Sequence, residues 1–242
     1  MDFEEARSKP DFVQRVFFHV LARTHAIDET VSAALREGAS QMVILGSGYD
    51  SRAYRMHDLL RKATVFEVDF APTQELKKLR VREVLGYVPK NVVYVPIDFM
   101  KEDLGTVLAK AGYRRDRRTV FVWEGVSFYL NESAVDTTLR FVARNSAPGS
   151  TIVFDYESER VPQGNYDDEP LKQAMARLAS WGKAHTFGLP IGQARNFVER
   201  RGLMVVADLA PEELTKRYLT RKDGTVFGAE PWYFAVCIAR VP

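Results

Sequence analysis

The sequence predicts an α/β protein with a doubly wound, mainly parallel sheet, and three observations carry that reading. Met42 to Leu45 is an uninterrupted apolar run that stops in Gly46-Ser47-Gly48, the pattern of a buried parallel strand feeding a tight turn. Short apolar runs then alternate with helical stretches, at residues 42–45, 64–68, 92–95, 119–123 and 151–154. The second to fifth runs lead into Asp69, Asp98, Glu124 and Asp155. That places carboxylates along the carboxyl edge of the sheet, outside which such sheets bind their ligands.

Residues 11–36 read as one or two helices, with Phe12, Val13, Val16, Phe17, Val20 and Leu21 in one apolar stripe and Ile27, Val31 and Leu35 in another. Arg23 lies between the stripes. It either pairs with Asp28 on the surface or offers its planar donor fork to a ligand carboxylate. After the first strand, residues 51–61 read as a helix. Pro72 opens the next helix, through Leu85, where its missing N–H costs little. Further helices are expected over 102–111 and 133–145. The alternation breaks at 156–190, where the polar stretch Glu157 to Glu169 carries Pro162 and Gly164. A mobile substrate lid over 156–192 is expected, with a helix over 171–181 inside it. A helix at 193–201, a strand at 203–206, a helix at 211–219 and a strand at 233–239 complete the chain. It reads as a single domain, 1–242, with N-terminal helices within 1–38.

Its 242 residues suit one domain with a large core. The formal charge of +2 gives no field to steer nucleic acid, and the basic clusters Arg114–Arg118 and Lys77–Arg80 read as solvated faces. No apolar run reaches membrane-spanning length, and the N-terminus lacks the pattern of a signal peptide. The lone Cys237 sits in an apolar run as a small hydrophobe and fits a reducing compartment, so a cytoplasmic protein is expected, with neither nucleic acid, membrane nor metal as partner.

Gly46 and Gly48 let a ligand approach the backbone, and Asp69 ends the second strand where an acid commonly bonds a ribose. An adenosine-containing cofactor fits. A dinucleotide fingerprint would have a third glycine where Ser51 stands, and Asp50 would repel a diphosphate at the helix start. S-adenosylmethionine, which carries a sulfonium and no phosphate, suits the acids better. The competing readings are a glycine turn with an N-capping Asp and no ligand, and a nicotinamide dehydrogenase, which Asp50 and Ser51 disfavour.

Several segments resemble the leucine carboxyl methyltransferase family: Ala22-Arg23-Thr24-His25, Val43 to Arg52, Phe66-Glu67-Val68-Asp69, Asp98-Phe99, Glu124-Gly125 with Tyr129-Leu130, Ala147 to Ser150, and Thr186-Phe187-Gly188. The resemblance covers about residues 20–240. It implies a seven-stranded Rossmann-like methyltransferase sheet with an antiparallel last strand, and S-adenosyl-L-methionine as cofactor. It implies that Arg23 grips the methionine carboxylate, Gly46 and Gly48 form the cofactor turn, Asp69 holds the ribose, Asp98 and Phe99 flank the adenine, and Glu124 contacts the cofactor. The turn reads Gly-Ser-Gly and Asp-Ser where the family often has Gly-Ala-Gly and Asp-Thr, and a shorter segment precedes Arg23 than in many members.

The expected activity is methyl transfer to oxygen of a small organic acid. A carboxylate is already ionised and needs no general base. A hydroxyl acceptor would need one, and His57, His185 and Tyr129 are the candidates, although packing roles suit each. Tyr129, His185, Arg217 and Tyr218 are the expected substrate-side residues. The alternatives are a hydroxyl-directed O-methyltransferase and a protein that binds S-adenosylmethionine without transferring its methyl group.

Overall fold

The computed structural model describes residues 11–98 and 101–242. A seven-stranded sheet has the strand order β3-β2-β1-β4-β5-β7-β6. The strands are β1 Gln41–Leu45, β2 Thr64–Asp69, β3 Val92–Pro96, β4 Thr119–Trp123, β5 Thr151–Glu157, β6 Met204–Leu209 and β7 Phe234–Arg240. The first five are parallel to one another, while β7 runs antiparallel to both β5 and β6. The expected doubly wound sheet with its antiparallel last strand is present. β1 lies between β2 and β4, so the chain reverses its winding at the end of β1, where such sheets open a crevice.

Alternation along the strands sorts the core into two layers. Val43, Leu45, Phe66, Val68, Phe121, Trp123, Ile152, Phe154 and Tyr156 face one side. Met42, Ile44, Val65, Val120, Val122 and Val153 face the other, where they pack on Ala22, Ala26, Ile27 and Val31 of helix α1, Asp11–Arg36. The two N-terminal stripes therefore belong to one continuous helix. Asp155 lies two residues beyond Val153 and Glu157 two beyond that, so both project on the α1 side of the sheet.

Two elements differ from their expected form. The helix expected at 51–61 is two short turns, α2 Arg52–Arg55 and α3 His57–Leu60, joined at Met56. Strand β5 runs three residues past Phe154, and all seven of its positions are buried. Asp155 is thus inside the strand, and Glu157, expected to open a polar loop, is 0% exposed. The remaining helices among the described residues are α4 Ala71–Leu85, α5 Leu104–Lys110, α6 Glu132–Arg144, α7 Glu169–Ser180, α8 Ala194–Glu199 and α9 Pro211–Tyr218, with a 3-10 turn at Ser127–Tyr129.

The segment expected as a lid is anchored at both ends of its course. Val161 and Leu171 are buried in a small aromatic cluster with Phe128, Tyr233 and Phe234. Further on, Leu189 N–H donates to Glu157 O at 2.9 Å, and Ser158 and Leu189 form a parallel bridge. Gly188 makes that approach possible: a Cβ there would stand 2.7 Å from the backbone of Ser158 and Glu159. Among the described residues no helix is long and apolar enough to cross a membrane.

Candidate functional site

The turn after β1 forms one wall of a cleft of ≈ 430 Å³, lined among others by Arg23, Gly46, Ser47, Gly48, Asp50, Arg52, Glu124 and Gly125. Gly46 has φ +67, and a Cβ there would meet Val126 Cγ2 at 2.5 Å, so both the turn and the packing behind it require glycine. The amides of Gly46 and Ser47 donate to Val68 O, which ties the turn to β2. Asp69 faces the turn: its carboxylate accepts from the amides of Gly48 and Phe70. Two N–H donors leave a carboxylate with further acceptor capacity for a hydroxyl pair.

The opposite wall is charged. His19 and Arg23 lie four residues apart and so share a face of α1, which they turn toward β4 and β5. Arg23 Nε donates to Glu124 Oε1 at 2.9 Å and Nη1 donates to Asp155 Oδ2 at 2.6 Å. Arg52 donates to Asp28 and Asp50 at 2.7 Å each and also to Glu124. Asp28 accepts in addition from Arg55. Hence Asp28 partners Arg52 and Arg55, and Arg23 has its own acids. The expectation of a whole donor fork for a ligand is narrowed, since Nε and Nη1 are committed and Nη2 is the guanidinium nitrogen without a hydrogen bond among the described residues. Asp50 is neutralised by Arg52, which weakens the electrostatic argument against a diphosphate.

Electrostatics follow from this packing. Burial opposes ionisation of Asp155, but Arg23 and the hydrogen bond from His19 outweigh it and hold the carboxyl well below the usual carboxylate range. Burial opposes the charge on Arg23, and Asp155 and Glu124 more than restore it. His19 was not anticipated from sequence. It is 1% exposed, stacks on Phe234 at 3.9 Å, and bonds Glu230 through Nδ1 while Nε2 lies 3.5 Å from Asp155. Burial alone would lower its pKa, but Glu230 and Asp155 raise it. The legible signal was the i, i+4 relation to Arg23 on an apolar helix.

A second constellation lies further along β5. His185 Nδ1 meets Glu157 Oε2 at 2.8 Å, and the two side chains are 4% and 1% exposed. Tyr129 stands edge-on to the His185 ring at 4.8 Å, and Phe128 lies 4.7 Å away. Thr186 fixes this arrangement by donating its amide to Phe128 O and its hydroxyl to Leu130 O, both at 2.8 Å.

The other expected residues are dispersed. Asp98 sits at the end of β3 in an ion pair with Lys101 at 2.9 Å, and Phe99 lies outside the described residues. On α9, Arg217 pairs with Glu213, while Tyr218 donates to Glu29 at 2.8 Å and stacks on His25. Neither residue lines the cleft. His57 is an exposed neighbour of Asp58.

Comparison with known proteins identifies the family and the fold. The profile of the leucine carboxyl methyltransferase family matches residues 1–143. A Bacillus subtilis protein, YktD, provisionally named an S-adenosyl-L-methionine-dependent methyltransferase, is 28% identical over 204 residues, covering 84% of this chain and 67% of that protein. A similarly named protein of Mycolicibacterium paratuberculosis is 36% identical over 175 residues, 71% of this chain and 53% of its own length. The chain thus spans about half to two thirds of the length of these relatives. In fold it is similar to the magnesium protoporphyrin IX methyltransferase of Synechocystis PCC 6803, solved with bound SAH, at a TM-score of 0.57 and 10% identity over 97% of this chain and 89% of that one.

Proposed function

The chain belongs to the leucine carboxyl methyltransferase family, and on that premise we propose that it transfers a methyl group from S-adenosyl-L-methionine to an oxygen of a small organic molecule. The observation that carries this reading is convergence. Arg23, Gly46, Gly48, Asp69 and Glu124 come from separate places in the sequence and meet around one cleft or its rim. The site fits the cofactor in chemistry. Asp69 has acceptor capacity for ribose hydroxyls, Arg23 Nη2 is available to a carboxylate, and Glu124 brings an acid to the cleft lining.

The cofactor supplies an electrophilic methyl group on a sulfonium. The protein's part is to orient the acceptor in line with it and exclude water. From the family resemblance, Asp98, just after β3, and Phe99 are assigned to flank the adenine. Tyr129 and His185 line the acceptor side. Arg217 and Tyr218 lie on the helix that supports α1.

Calorimetry with S-adenosyl-L-methionine and S-adenosylhomocysteine, followed by transfer of a labelled methyl group to a compound panel, tests the proposal. Binding and transfer are expected. Binding without transfer to any compound would indicate a sensor or carrier of the cofactor, and absence of binding would refute the assignment.

A further inference from the structure

We propose that His185 is the general base for an uncharged hydroxyl acceptor, a phenol or alcohol, with Glu157 positioning its imidazole. This rests on the methyl-transfer reading and names the acceptor class that the same site takes. Sequence alone favoured a carboxylate acceptor, which needs no base. The structure supplies a candidate base whose Nε2 has no hydrogen-bond partner among the described residues.

The argument starts from unmet hydrogen bonds. His185 Nε2 and Glu157 Oε1 are buried and have no partner among the described residues. Buried polar atoms without partners are uncommon, and here two lie in one ion-paired dyad. The Nδ1 contact to Glu157 fixes the ring. With Glu157 ionised, Nδ1 carries the proton and donates it, which leaves the Nε2 lone pair as an acceptor.

Position is the second element. Glu157 follows Asp155 by two residues on the same face of β5, roughly 7 Å further along the strand. Asp155 in turn holds Arg23 and the Gly125 amide, both at the cleft. The dyad therefore sits one strand repeat from the cleft wall, at the carboxyl end of β5.

Charge selects the acceptor. The groups that act electrostatically on Glu157 are His185 and Asp155. A carboxylate acceptor would meet these two acids where the facing cation, Arg23, is already bonded to Glu124 and Asp155, whereas a neutral hydroxyl carries no charge to be repelled. Tyr129, on which Glu157, Asp155 and Arg23 all act, and Tyr166, on which Glu157 acts, are the other titratable groups facing the dyad. The rings of Phe128 and Tyr129 provide an apolar wall. Tyr129 is 40% exposed and edge-on to the His185 ring, so on this proposal its ring must move aside for an acceptor to reach Nε2.

The step balances. The acceptor oxygen forms a bond to the methyl carbon while the carbon–sulfur bond breaks and its electron pair returns to sulfur, making a neutral thioether. The hydroxyl proton passes to His185 Nε2. The resulting imidazolium is paired with Glu157 until the proton is released to solvent.

The test combines nitrogen NMR of the histidine rings with kinetics. At slightly alkaline pH, in the complex with S-adenosylhomocysteine, His185 is expected as the neutral tautomer protonated at Nδ1, its signals assigned by their loss in His185→Gln. A tautomer protonated at Nε2, or a ring doubly protonated throughout, would overturn the proposal. Single-turnover assays would use phenol, catechol, 2-naphthol and benzyl alcohol against benzoate and phenylacetate. Methylation of a hydroxyl compound is expected, falling about 10²–10⁴-fold in His185→Gln, with cofactor affinity within twofold of wild type. The rising limb of the pH–rate profile should also vanish in that variant. His185→Gln can still donate to Glu157 and is expected to fold, and imidazole should restore part of the rate in His185→Ala. Glu157→Gln should lower the rate and move that limb. A loss below threefold in His185→Gln, or normal cofactor binding with only carboxylates methylated or no hydroxyl methylated, would overturn this inference alone. Failure to bind S-adenosylhomocysteine would instead remove the parent reading.

Discussion

Asp155 and Glu157 stand two residues apart on one face of β5, both fully buried, yet they sit in opposite kinds of surroundings. Asp155 is saturated: it accepts from Arg23 and the Gly125 amide and lies 3.5 Å from His19. Glu157 has one polar partner, His185, and one carboxylate oxygen without any. The acid is held down in the first case and pushed up by burial in the second. The difference teaches how a single strand divides labour. Where cations and amides surround a carboxylate, it stays ionised and fixes geometry. Where burial dominates, the carboxylate has a single imidazole partner, and each of the two keeps one polar atom without a partner among the described residues.

The largest effect should come from breaking the saturated end. Asp155→Asn keeps the shape but leaves Arg23 and His19 buried without their shared anion. Removing one member of a buried charge pair costs about 3–5 kcal/mol. Glu157→Gln replaces an acid whose hydrogen-bond partner is a single imidazole and should cost about 1.5 kcal/mol or less. Urea denaturation of both variants reads the contrast directly. Equal losses would mean that the two acids play the same structural part.

The next effect concerns the rim. Asp69→Ala removes a charged acceptor from the proposed ribose site and should weaken S-adenosylhomocysteine binding by about 1.5–3 kcal/mol. Calorimetry on the folded variant measures it, and unchanged affinity would take Asp69 out of the site. Glu157→Gln, by contrast, should leave this affinity unaltered.

Much of this was legible in the sequence because it depends on local pattern. The apolar run into Gly46-Ser47-Gly48 specified β1 and its turn, and Asp69, Glu124 and Arg23 could be named from their places relative to strands. The Glu157–His185 dyad could not. Asp155 read as a strand-end acid and Glu157 as the start of a polar loop, because a strand that carries acids at alternate positions looks like a loop until the partners are known. His185 supplies one partner from 28 residues away and His19 another from the first described helix. Contacts across such separations are set by topology, which no local period reports. The split of residues 51–61 into two turns at Met56 has the same character: the helical pattern is continuous, but Arg52 is drawn to Asp28 and Glu124.

A pH titration of stability sharpens the comparison further. The Asp155 carboxyl is depressed in the folded protein, so its contribution is complete above its ordinary value of 3.8 and is lost as pH falls through the lower folded value. The His19 imidazole is raised, so its contribution is complete below its ordinary value of 6.5 and is lost as pH rises through the higher folded value. Stability should therefore decline on the alkaline side of 6.5, and His19→Gln should flatten that decline. An alkaline slope unchanged in His19→Gln would assign it to another group.

The smallest effect is expected at α9, and it tests whether the acceptor side ends at the dyad. Arg217 pairs with Glu213 one turn away on the same helix, and both side chains are close to half exposed. Such i, i+4 pairs contribute about 0.3–0.5 kcal/mol. Tyr218 differs, since its hydroxyl donates to Glu29 and its ring stacks on His25, both on α1. Those contacts lie on the helix that carries His19 and Arg23, so Tyr218 reaches the site through packing. Arg217→Ala should therefore leave cofactor affinity and transfer rate within twofold of wild type. Tyr218→Phe should lose one hydrogen bond's worth of stability, about 1 kcal/mol, with the same transfer rate in the folded protein. A tenfold rise in the acceptor KM for Arg217→Ala, with stability unchanged, would extend the acceptor site to α9 and place a cation where an acidic substrate could use it. That result would also count against the neutral hydroxyl acceptor assigned to the dyad.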